Sequence, residues 1–179
     1  MSKETNDSLI IYENSSDNKN RYALGTKGKN TLFCIGINPS TATPKDYDMT
    51  MKLLKRFAEI NNYDSWIMLN IYPQRATDPN ELDKELNTNI REKNIKIIEK
   101  YIHDNSSILC IWGNLIKKRK YLKICLLDIY NVINKKKKIN WLNIELTIYG
   151  NPRNLRGKKI VKGLNKFDIS NYIKNMKIT

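Results

Sequence analysis

Short apolar runs alternate along the chain with longer segments in which apolar residues recur at helical spacing. The runs at residues 32–37, 66–72, 108–112 and 141–149 predict four strands. The first run is nearly continuous in apolar character, which is typical of a strand buried on both faces. Asn38-Pro39-Ser40, Pro73, Gly113 and Gly150-Asn151-Pro152 mark where these strands stop.

Helical periodicity follows each of the first three strands and closes the chain. Asp48 or Thr50 opens the first helix, which ends at Asn61-Asn62. This helix places four apolar residues on one face, at Met51, Leu54, Phe57 and Ala58. Asp78-Pro79 starts a helix, a longer one carries apolar residues from Ile90 to Ile102, and residues 115–130 and 167–176 predict two more.

This alternation of strand and helix predicts an α/β domain with a mainly parallel sheet. A chain of 179 residues is the size of one ordinary domain. We expect residues 1–30, which are polar apart from a short run at 9–12, to form an irregular N-terminal edge segment. Residues 31–179 are then the single domain.

Composition excludes several classes of protein. No apolar stretch reaches the roughly 18 to 20 residues that a membrane span needs, and the first seven residues lack a signal-peptide pattern. We therefore expect a cytoplasmic protein with no membrane contact.

Cys34, Cys110 and Cys125 are interpreted as reduced core thiols. With His103 as the single histidine and no paired cysteines, we expect no metal and no cofactor, and assign His103 no role. The oligomeric state is left open.

The charge is concentrated in one part of the chain. Residues 1–112 balance 15 basic against 15 acidic residues, whereas residues 113–179 carry 17 lysines and arginines against three acidic residues, which accounts for the net charge of +14. Such a basic third is typical of a protein that binds DNA, RNA or a nucleotide. A solvated lysine surface that reflects an AT-rich coding sequence is the alternative.

In an open parallel sheet, ligands bind beyond the carboxyl ends of the strands. The candidate site is therefore residues 38–40, 70–72, 112–114 and 150–156. Asn38 stands at a rigid turn where its amide can orient water, although Asn-Pro-Ser is also an ordinary turn. Asn70 follows a buried apolar run, where an unpaired amide costs about 1 to 3 kcal/mol, so it either reads a nucleobase edge or ties down a loop.

The other two strand ends offer weaker signals. Trp112 is a core residue or a wall of the site, and Gly113 permits close approach of a ligand to the backbone. Arg153 and Arg156 are suited to phosphate contacts, with solvated loop arginines as the alternative.

From Tyr22 to about Lys159 the chain resembles a bacterial family, domain-of-unknown-function family 1643. The resemblance is carried by Gly36-Ile37-Asn38-Pro39-Ser40-Thr41-Ala42, Asp48 with Thr50, Leu69-Asn70, Arg75-Ala76-Thr77-Asp78-Pro79, Ile111-Trp112-Gly113 and Gly150-Asn151-Pro152-Arg153. It implies no particular activity. Members tend to have histidines in the last motif, where this chain has Asn151 and Asn154.

The four strand ends more distantly resemble the uracil-DNA glycosylase superfamily, especially its mismatch-specific thymine/uracil branch. The similarity lies in Gly36-Ile37-Asn38-Pro39, Asn70, Trp112-Gly113 and the loop Asn151-Pro152-Arg153-Asn154-Leu155. It implies a three-layer α/β/α sandwich around a four-stranded parallel sheet. It further implies that Asn38 positions the hydrolytic water, that Asn70 reads the base, and that the loop enters the DNA, although Arg153 stands where that branch has Ser.

The leading hypothesis is a nucleobase-recognising enzyme that acts on the N-glycosidic bond of a base in DNA or a nucleotide. Asn38 is its catalytic candidate, and Tyr47, or else Tyr72, would stack on the base. The candidate substrate contacts are Gly36, Ile37, Pro39, Ser40, Tyr47, Asp48, Asn70, Tyr72, Trp112, Gly113, Asn151, Pro152 and Asn154. The nucleic-acid contacts are Arg153, Arg156, Lys158 and Lys159.

Two other functions fit the same residues. One is a non-catalytic protein that binds nucleic acid or a nucleotide through this pocket and the basic third. The other is a protein-interaction module whose lysines have no partner of opposite charge. Whether the chain is an enzyme is therefore left open by its sequence.

Overall fold

The computed structural model describes residues 9–160 and 162–178. Within them lie seven strands: β1 (Ile10–Asn14), β2 (Arg21–Thr26), β3 (Thr31–Gly36), β4 (Ser65–Asn70), β5 (Ser107–Cys110), β6 (Asn140–Asn143) and β7 (Asn165–Lys166). The α-helices are α1 (Met49–Ile60), α2 (Thr88–Tyr101), α3 (Lys120–Ile133) and α4 (Ile169–Asn175). Two short 3₁₀ helices, Pro79–Glu81 and Gly113–Lys117, complete the fold. The chain is thus an α/β protein, as its sequence predicts.

All seven strands join one mixed sheet in the order β1-β2-β4-β3-β5-β6-β7. The pairs β4–β3, β3–β5 and β5–β6 are parallel, and the pairs involving β1, β2 and β7 are antiparallel. The expected count of four strands is therefore too low. Of the strands that the pattern missed, β7 is only Asn165–Lys166, and β1 and β2 lie in the segment predicted to be irregular.

The segment predicted to be irregular forms β1 and β2, except for residues 1–8, which lie outside the described residues. β2 is buried along nearly its whole length between β1 and β4. Because β2 begins with Arg21 and contains Gly25, its sequence does not form a continuous apolar run. A side chain at Gly25 would lie 2.1 Å from the backbone oxygen of Trp66, so this glycine allows β2 and β4 to approach each other.

Helices cover both faces of the sheet. Phe33 and Ile35 point to the face on which α2, α3 and α4 pack, whereas Leu32 and Cys34 point to the face covered by α1. This alternation follows from the two-residue period of a strand. The four apolar residues predicted to share one face of α1 are all buried there, and Asp48 caps the helix by accepting a hydrogen bond from the Met51 backbone at 3.0 Å.

Two predicted boundaries are wrong by about five residues or more. The fourth parallel strand ends at Asn143 rather than Tyr149, because Thr147 and Gly150 form a turn in which the Gly150 N–H donates to the Thr147 carbonyl at 2.9 Å. Ile148 is 87% exposed at this turn. The helix predicted from residue 115 starts at Lys120, after the 3₁₀ turn.

The three cysteines are free and buried, and burial raises the pKa of each thiol, which keeps them protonated and unreactive. In the described part of the chain, no helix combines the length and apolar character needed to cross a bilayer.

Candidate functional site

The carboxyl ends of β3 and β4 lie side by side, with Gly36 paired to Asn70. A cavity of about 140 Å³ opens there on the α1 face of the sheet. It brings together eight of the residues predicted for the site: Gly36, Ile37, Asn38, Ser40, Asp48, Trp112, Asn154 and Arg156. Three of the four predicted strand ends thus contribute to its lining directly, and Asn70 of the fourth lies behind Gly36.

Asn70 is fully buried, and neither Oδ1 nor Nδ2 of its side chain has a hydrogen-bond partner within the described residues. A Cβ atom on Gly36 would lie 3.4 Å from Asn70 Oδ1 and 2.5 Å from the terminal methyl of Met68. The Met68 methyl thus fills the space that a side chain at position 36 would need, next to the Asn70 amide. A buried amide without partners costs about 1 to 3 kcal/mol, so the Asn70 amide needs a partner, which a water molecule or a ligand can supply.

The backbone of Asn70 is held in place from the other face of the sheet. Asn94 of α2 donates from Nδ2 to the carbonyl of Asn70 at 2.9 Å and to that of Ile71 at 3.3 Å. Asn70 itself makes no comparable side-chain tie to a loop among the described residues. The two buried asparagines thus have different roles, with one holding backbone and the other presenting a free donor and acceptor.

Asn38 is half-buried at the mouth of the cavity and has a fixed amide orientation. Its Nδ2 donates to the carbonyl oxygens of Ala76 at 2.8 Å and Pro39 at 3.0 Å. Because carbonyl oxygens only accept hydrogen bonds, the nitrogen must face them. Oδ1 accepts no hydrogen bond from the described residues, which leaves it able to accept one from a water molecule.

The loop that carries Asn38 is locked to the loop after β4. The Ala76 N–H donates to the buried Pro39 carbonyl at 2.9 Å, and the hydroxyls of Ser40 and Thr77 lie 2.9 Å apart. Arg75 donates from its guanidinium to the carbonyls of Ser40 and Ala42. These contacts make the site rigid before any ligand arrives, which is what positioning a water requires.

Arg21 lines the cavity, and sequence reasoning missed it. It is 1% exposed and donates from Nη1 to the carbonyl of Ala42 at 3.0 Å, while its Nε has no partner among the described residues. Burial lowers the pKa of this guanidinium to about 10, the nearby Arg75 lowers it too, and Asp48 opposes both, so Arg21 stays charged at neutral pH. The sequence signal that could have indicated this residue is its position directly before the apolar residues Tyr22, Ala23 and Leu24.

The two tyrosines proposed to stack on a base lie elsewhere. Tyr47 packs edge-on against Trp66, with ring centroids 5.4 Å apart, and lines a separate cavity near the start of β4. Tyr72 is fully buried, and its hydroxyl donates to Asp83 at 2.8 Å. The cavity wall instead contains the apolar side chains of Met51, Met68 and Ile111. Asp48 does lie at the cavity, with Oδ1 occupied as the cap of α1.

The loop after β6 is held by a network of side-chain hydrogen bonds. Asn151 is 3% exposed, donates from Nδ2 to Asn114 Oδ1 at 2.8 Å and accepts from the Tyr172 hydroxyl at 2.7 Å. The Trp112 indole N–H donates to the same hydroxyl at 3.2 Å. The Asn151 amide is thus engaged in holding the loop, and its side chain does not face the cavity around Asn38.

Gly113 and Pro152 complete this junction. The Gly113 N–H donates to the Pro152 carbonyl at 2.7 Å, and Gly113 has a positive φ of 58° that favours glycine. The indole of Trp112 contacts Phe167 and Tyr172, with ring centroids 5.9 and 5.8 Å away, so most of the ring belongs to the core. The predicted residues Gly113 and Pro152 thus hold the backbone that borders the site.

The predicted phosphate contacts divide into two kinds. Arg153 forms an ion pair with Glu145 at 3.3 Å, and Lys158 pairs with the same carboxylate. Arg156 and Lys159 are exposed, and Arg156 lines the cavity together with Asn154. The lysine run at 135–138 lies between α3 and β6, at the amino-terminal ends of the parallel strands. It is therefore at the end of the sheet opposite to the small cavity.

A larger cavity of about 750 Å³ lies beside α4, beyond the loop that Asn151 holds. Its walls combine aromatic side chains of Phe167 and Tyr172 with Lys117, Lys123 and Lys166. Asn151, predicted as a substrate contact, lines this cavity with Gly150, and the remaining walls come from three other segments of the chain.

A protein-family model described as "Protein of unknown function (DUF1643)" matches residues 21–154. The chain belongs to the DUF1643 family. The matched region of this family starts at Arg21 and ends at Asn154, and both of these residues line the small cavity. A search of curated proteins gave no match, and neither did a search of solved structures.

Proposed function

We propose that this DUF1643 protein is a nucleobase-recognising enzyme with a uracil-DNA glycosylase-like architecture, acting on the N-glycosidic bond of a base in DNA or in a nucleotide. The observation that carries the proposal is the amide of Asn70, which is fully buried, unpartnered among the described residues and placed behind the side-chain-free Gly36 at the cavity. An adjacent donor and acceptor in a dry setting match the edge of a pyrimidine base.

The architecture supports the proposal through the placement of the cavity. Four parallel strands, in the order β4-β3-β5-β6, have helices on both faces, and the cavity lies at their carboxyl ends. Ligands of open α/β sheets bind in this position. The sequence Gly36-Ile37-Asn38-Pro39 resembles the water-positioning motif of the mismatch-specific branch, and its first three residues line the cavity.

The chemistry would depend on positioning rather than on a strong base. Cleavage of an N-glycosidic bond develops positive charge on the sugar, so an oriented water and donors to the departing base are sufficient to accelerate it. Asn38 Oδ1 would hold the water, and Asn70 would hold the base. An amide does not abstract protons efficiently, so we expect slow turnover.

The cavity also explains how a base could bind without a stacking aromatic. Met51, Met68 and Ile111 offer apolar surface to the faces of a ring, in place of Tyr47 and Tyr72. Thioether and aliphatic groups provide dispersion contacts with less preference for one ring geometry. This substitution favours a permissive pocket over one specific for a single base.

The experiment is a base-release assay on labelled single-stranded and duplex oligonucleotides that carry uracil, mismatched thymine or modified bases. Wild type is compared with Asn38→Ala and with Asn131→Ala, an exposed asparagine of α3 that matches the substitution outside the cavity. The proposal expects release by wild type and Asn131→Ala and loss in Asn38→Ala. Equal release by all three, or by none on any substrate, contradicts it.

A non-catalytic nucleotide or nucleic-acid binder is the second candidate, and one observation favours it. Among the described residues, the one carboxylate that lines the cavity, Asp48, already caps α1, so the cavity offers no free general base there. This candidate predicts salt-dependent binding without base release, and an unchanged affinity in Asn38→Ala.

A further inference from the structure

We propose that the small cavity contains an anion subsite built on Arg21, so that the ligand carries a phosphate group as well as a base. The inference deepens the proposed function and rests on it, because it assigns the substrate class as a phosphate-bearing nucleotide, either free or at the end of a strand. The supporting feature is a buried guanidinium that lines the cavity and forms no ion pair with an acidic residue in the described part of the chain.

Arg21 is exposed by only 1%. A buried cation without a counter-ion is costly, and proteins seldom keep one except where it is paired or meets a ligand. One of its hydrogen bonds goes to the Ala42 carbonyl, and its Nε is buried without a partner among the described residues. Its bonding capacity is therefore only partly used.

A second arginine already performs the structural task that could explain Arg21. Arg75 donates to the carbonyls of Ser40 and Ala42 and, from Nη2, to the Tyr12 hydroxyl at 2.9 Å. The two guanidiniums lie close enough for Arg75 to lower the pKa of Arg21. Two like charges behind one loop repel each other, and an anion in the cavity would relieve that repulsion.

The other groups around the cavity suit a phosphate. The exposed Arg156 adds a second cation at the rim, and Ser40, Thr50 and Thr77 contribute hydroxyls to the lining. Asp48 is the opposing charge, and it is engaged with the Met51 backbone. Arginine binds phosphate in a planar, two-pronged manner, which a buried and partly used guanidinium can provide.

The test is calorimetric titration of the full-length chain with thymidine, thymidine 5′-monophosphate and inorganic phosphate. Arg21→Gln removes the buried charge, and Arg56→Gln removes an exposed charge on α1 as the matched control. We expect the monophosphate to bind wild type and Arg56→Gln at least about tenfold more tightly than the nucleoside. In Arg21→Gln this preference should fall to about threefold or less, which is the part that Arg156 would contribute.

Where Arg21→Gln does not fold, two other measurements decide. Inorganic phosphate should raise the Tm of the wild type and compete with the monophosphate, and Arg156→Gln, an exposed change, should reduce the preference about threefold. Oligonucleotides with and without a 5′-phosphate then distinguish a strand end from a free nucleotide. Equal binding of nucleoside and monophosphate to wild type, a preference kept in Arg21→Gln, or no binding at millimolar concentration overturns the proposal.

These titrations need no turnover, so the two proposals fail separately. A phosphate preference that depends on Arg21, without base release from any substrate, supports the subsite and contradicts the glycosidic reaction. Base release by a protein that shows no phosphate preference supports the glycosidic reaction and contradicts the subsite.

Discussion

Gly36 and Asn70 are partners in the β3–β4 pair, and a Cβ atom on Gly36 would lie 3.4 Å from the buried Oδ1 of Asn70. The pair lies where two parallel strands end, beside the half-buried amide of Asn38. The candidate site thus joins a position without a Cβ to a buried amide that has no partner among the described residues.

Replacement of Gly36 by Ala should displace the Met68 methyl, which lines the cavity. The new Cβ would lie 2.5 Å from the Met68 methyl and 3.4 Å from Asn70 Oδ1, so Met68 has to move within the cavity wall. Because this methyl is the far end of a flexible side chain, we expect a loss of less than about 1 kcal/mol in the free energy of unfolding, together with at least about tenfold weaker nucleotide binding. Denaturant titration and calorimetry measure the two effects.

The Met68→Ala change provides the control for this contact. Because it removes the methyl that the new Cβ at position 36 would strike, the stability losses of Gly36→Ala and Met68→Ala should be less than additive in the double variant. Strictly additive losses would show that the two positions do not meet.

The buried residues Asn70 and Asn94 should respond differently to truncation. Asn70→Ala removes an amide without partners among the described residues, so we expect the free energy of unfolding to change by less than about 1 kcal/mol while nucleotide binding is lost. Asn94→Ala removes the donor to two carbonyls and should destabilise by about 1 to 3 kcal/mol. Urea unfolding with a binding assay compares them, and a severe destabilisation by Asn70→Ala would assign its amide a structural task.

Sequence reasoning located the parallel core of the fold because strands such as Thr31–Gly36 are continuous apolar runs. It missed β2, where Arg21 stands at the head of the strand and yet is buried, and it missed β7, which is only two polar residues long. It also extended β6 to Tyr149, because the spacing of Ile144, Leu146 and Ile148 imitates a strand. Whether a segment such as β2 or β7 forms a strand depends on the strand it pairs with, and a local sequence pattern does not show that partner.

The candidate site was predictable as far as topology determines it. The carboxyl ends of parallel strands lead to Asn38 and Asn70 without any knowledge of contacts. The direction of a side chain was not predictable, as Tyr47 and Asn151 show: one packs on Trp66, and the other is saturated by Asn114 and Tyr172. Arg21 was missed for the same reason, because β2 joins the site only through the sheet.

Tyr172 should act as an anchor of the loop after β6. Its hydroxyl accepts from the Trp112 indole at 3.2 Å and donates to Asn151 Oδ1 at 2.7 Å, so Tyr172→Phe leaves two buried polar groups without this partner. We expect a loss of about 1 to 3 kcal/mol in the free energy of unfolding. A cycle with Asn151→Ala should show coupling between the two, and independent effects would contradict the network.

The basic residues at the two ends of the parallel strands should contribute differently to nucleic-acid binding. Reversal of Arg156 and Lys159 to Glu, near the cavity, should weaken binding of a single-stranded oligonucleotide and reduce the slope of log K against log salt by about 1.4, for two lost contacts. Reversal of Lys135 to Lys138 at the opposite end should have less effect per residue. Salt titrations of fluorescence anisotropy compare them, and a larger effect at 135–138 would place the nucleic acid at the other end of the sheet.

The most direct test of the central claim measures binding and base release in the same sample. Asn38 Oδ1 is proposed to hold the water and not the base, so Asn38→Ala should keep the wild-type affinity for the oligonucleotide on which wild type is active, within about threefold, and lose at least about 100-fold in single-turnover base release. Release at the wild-type rate by Asn38→Ala would contradict the account.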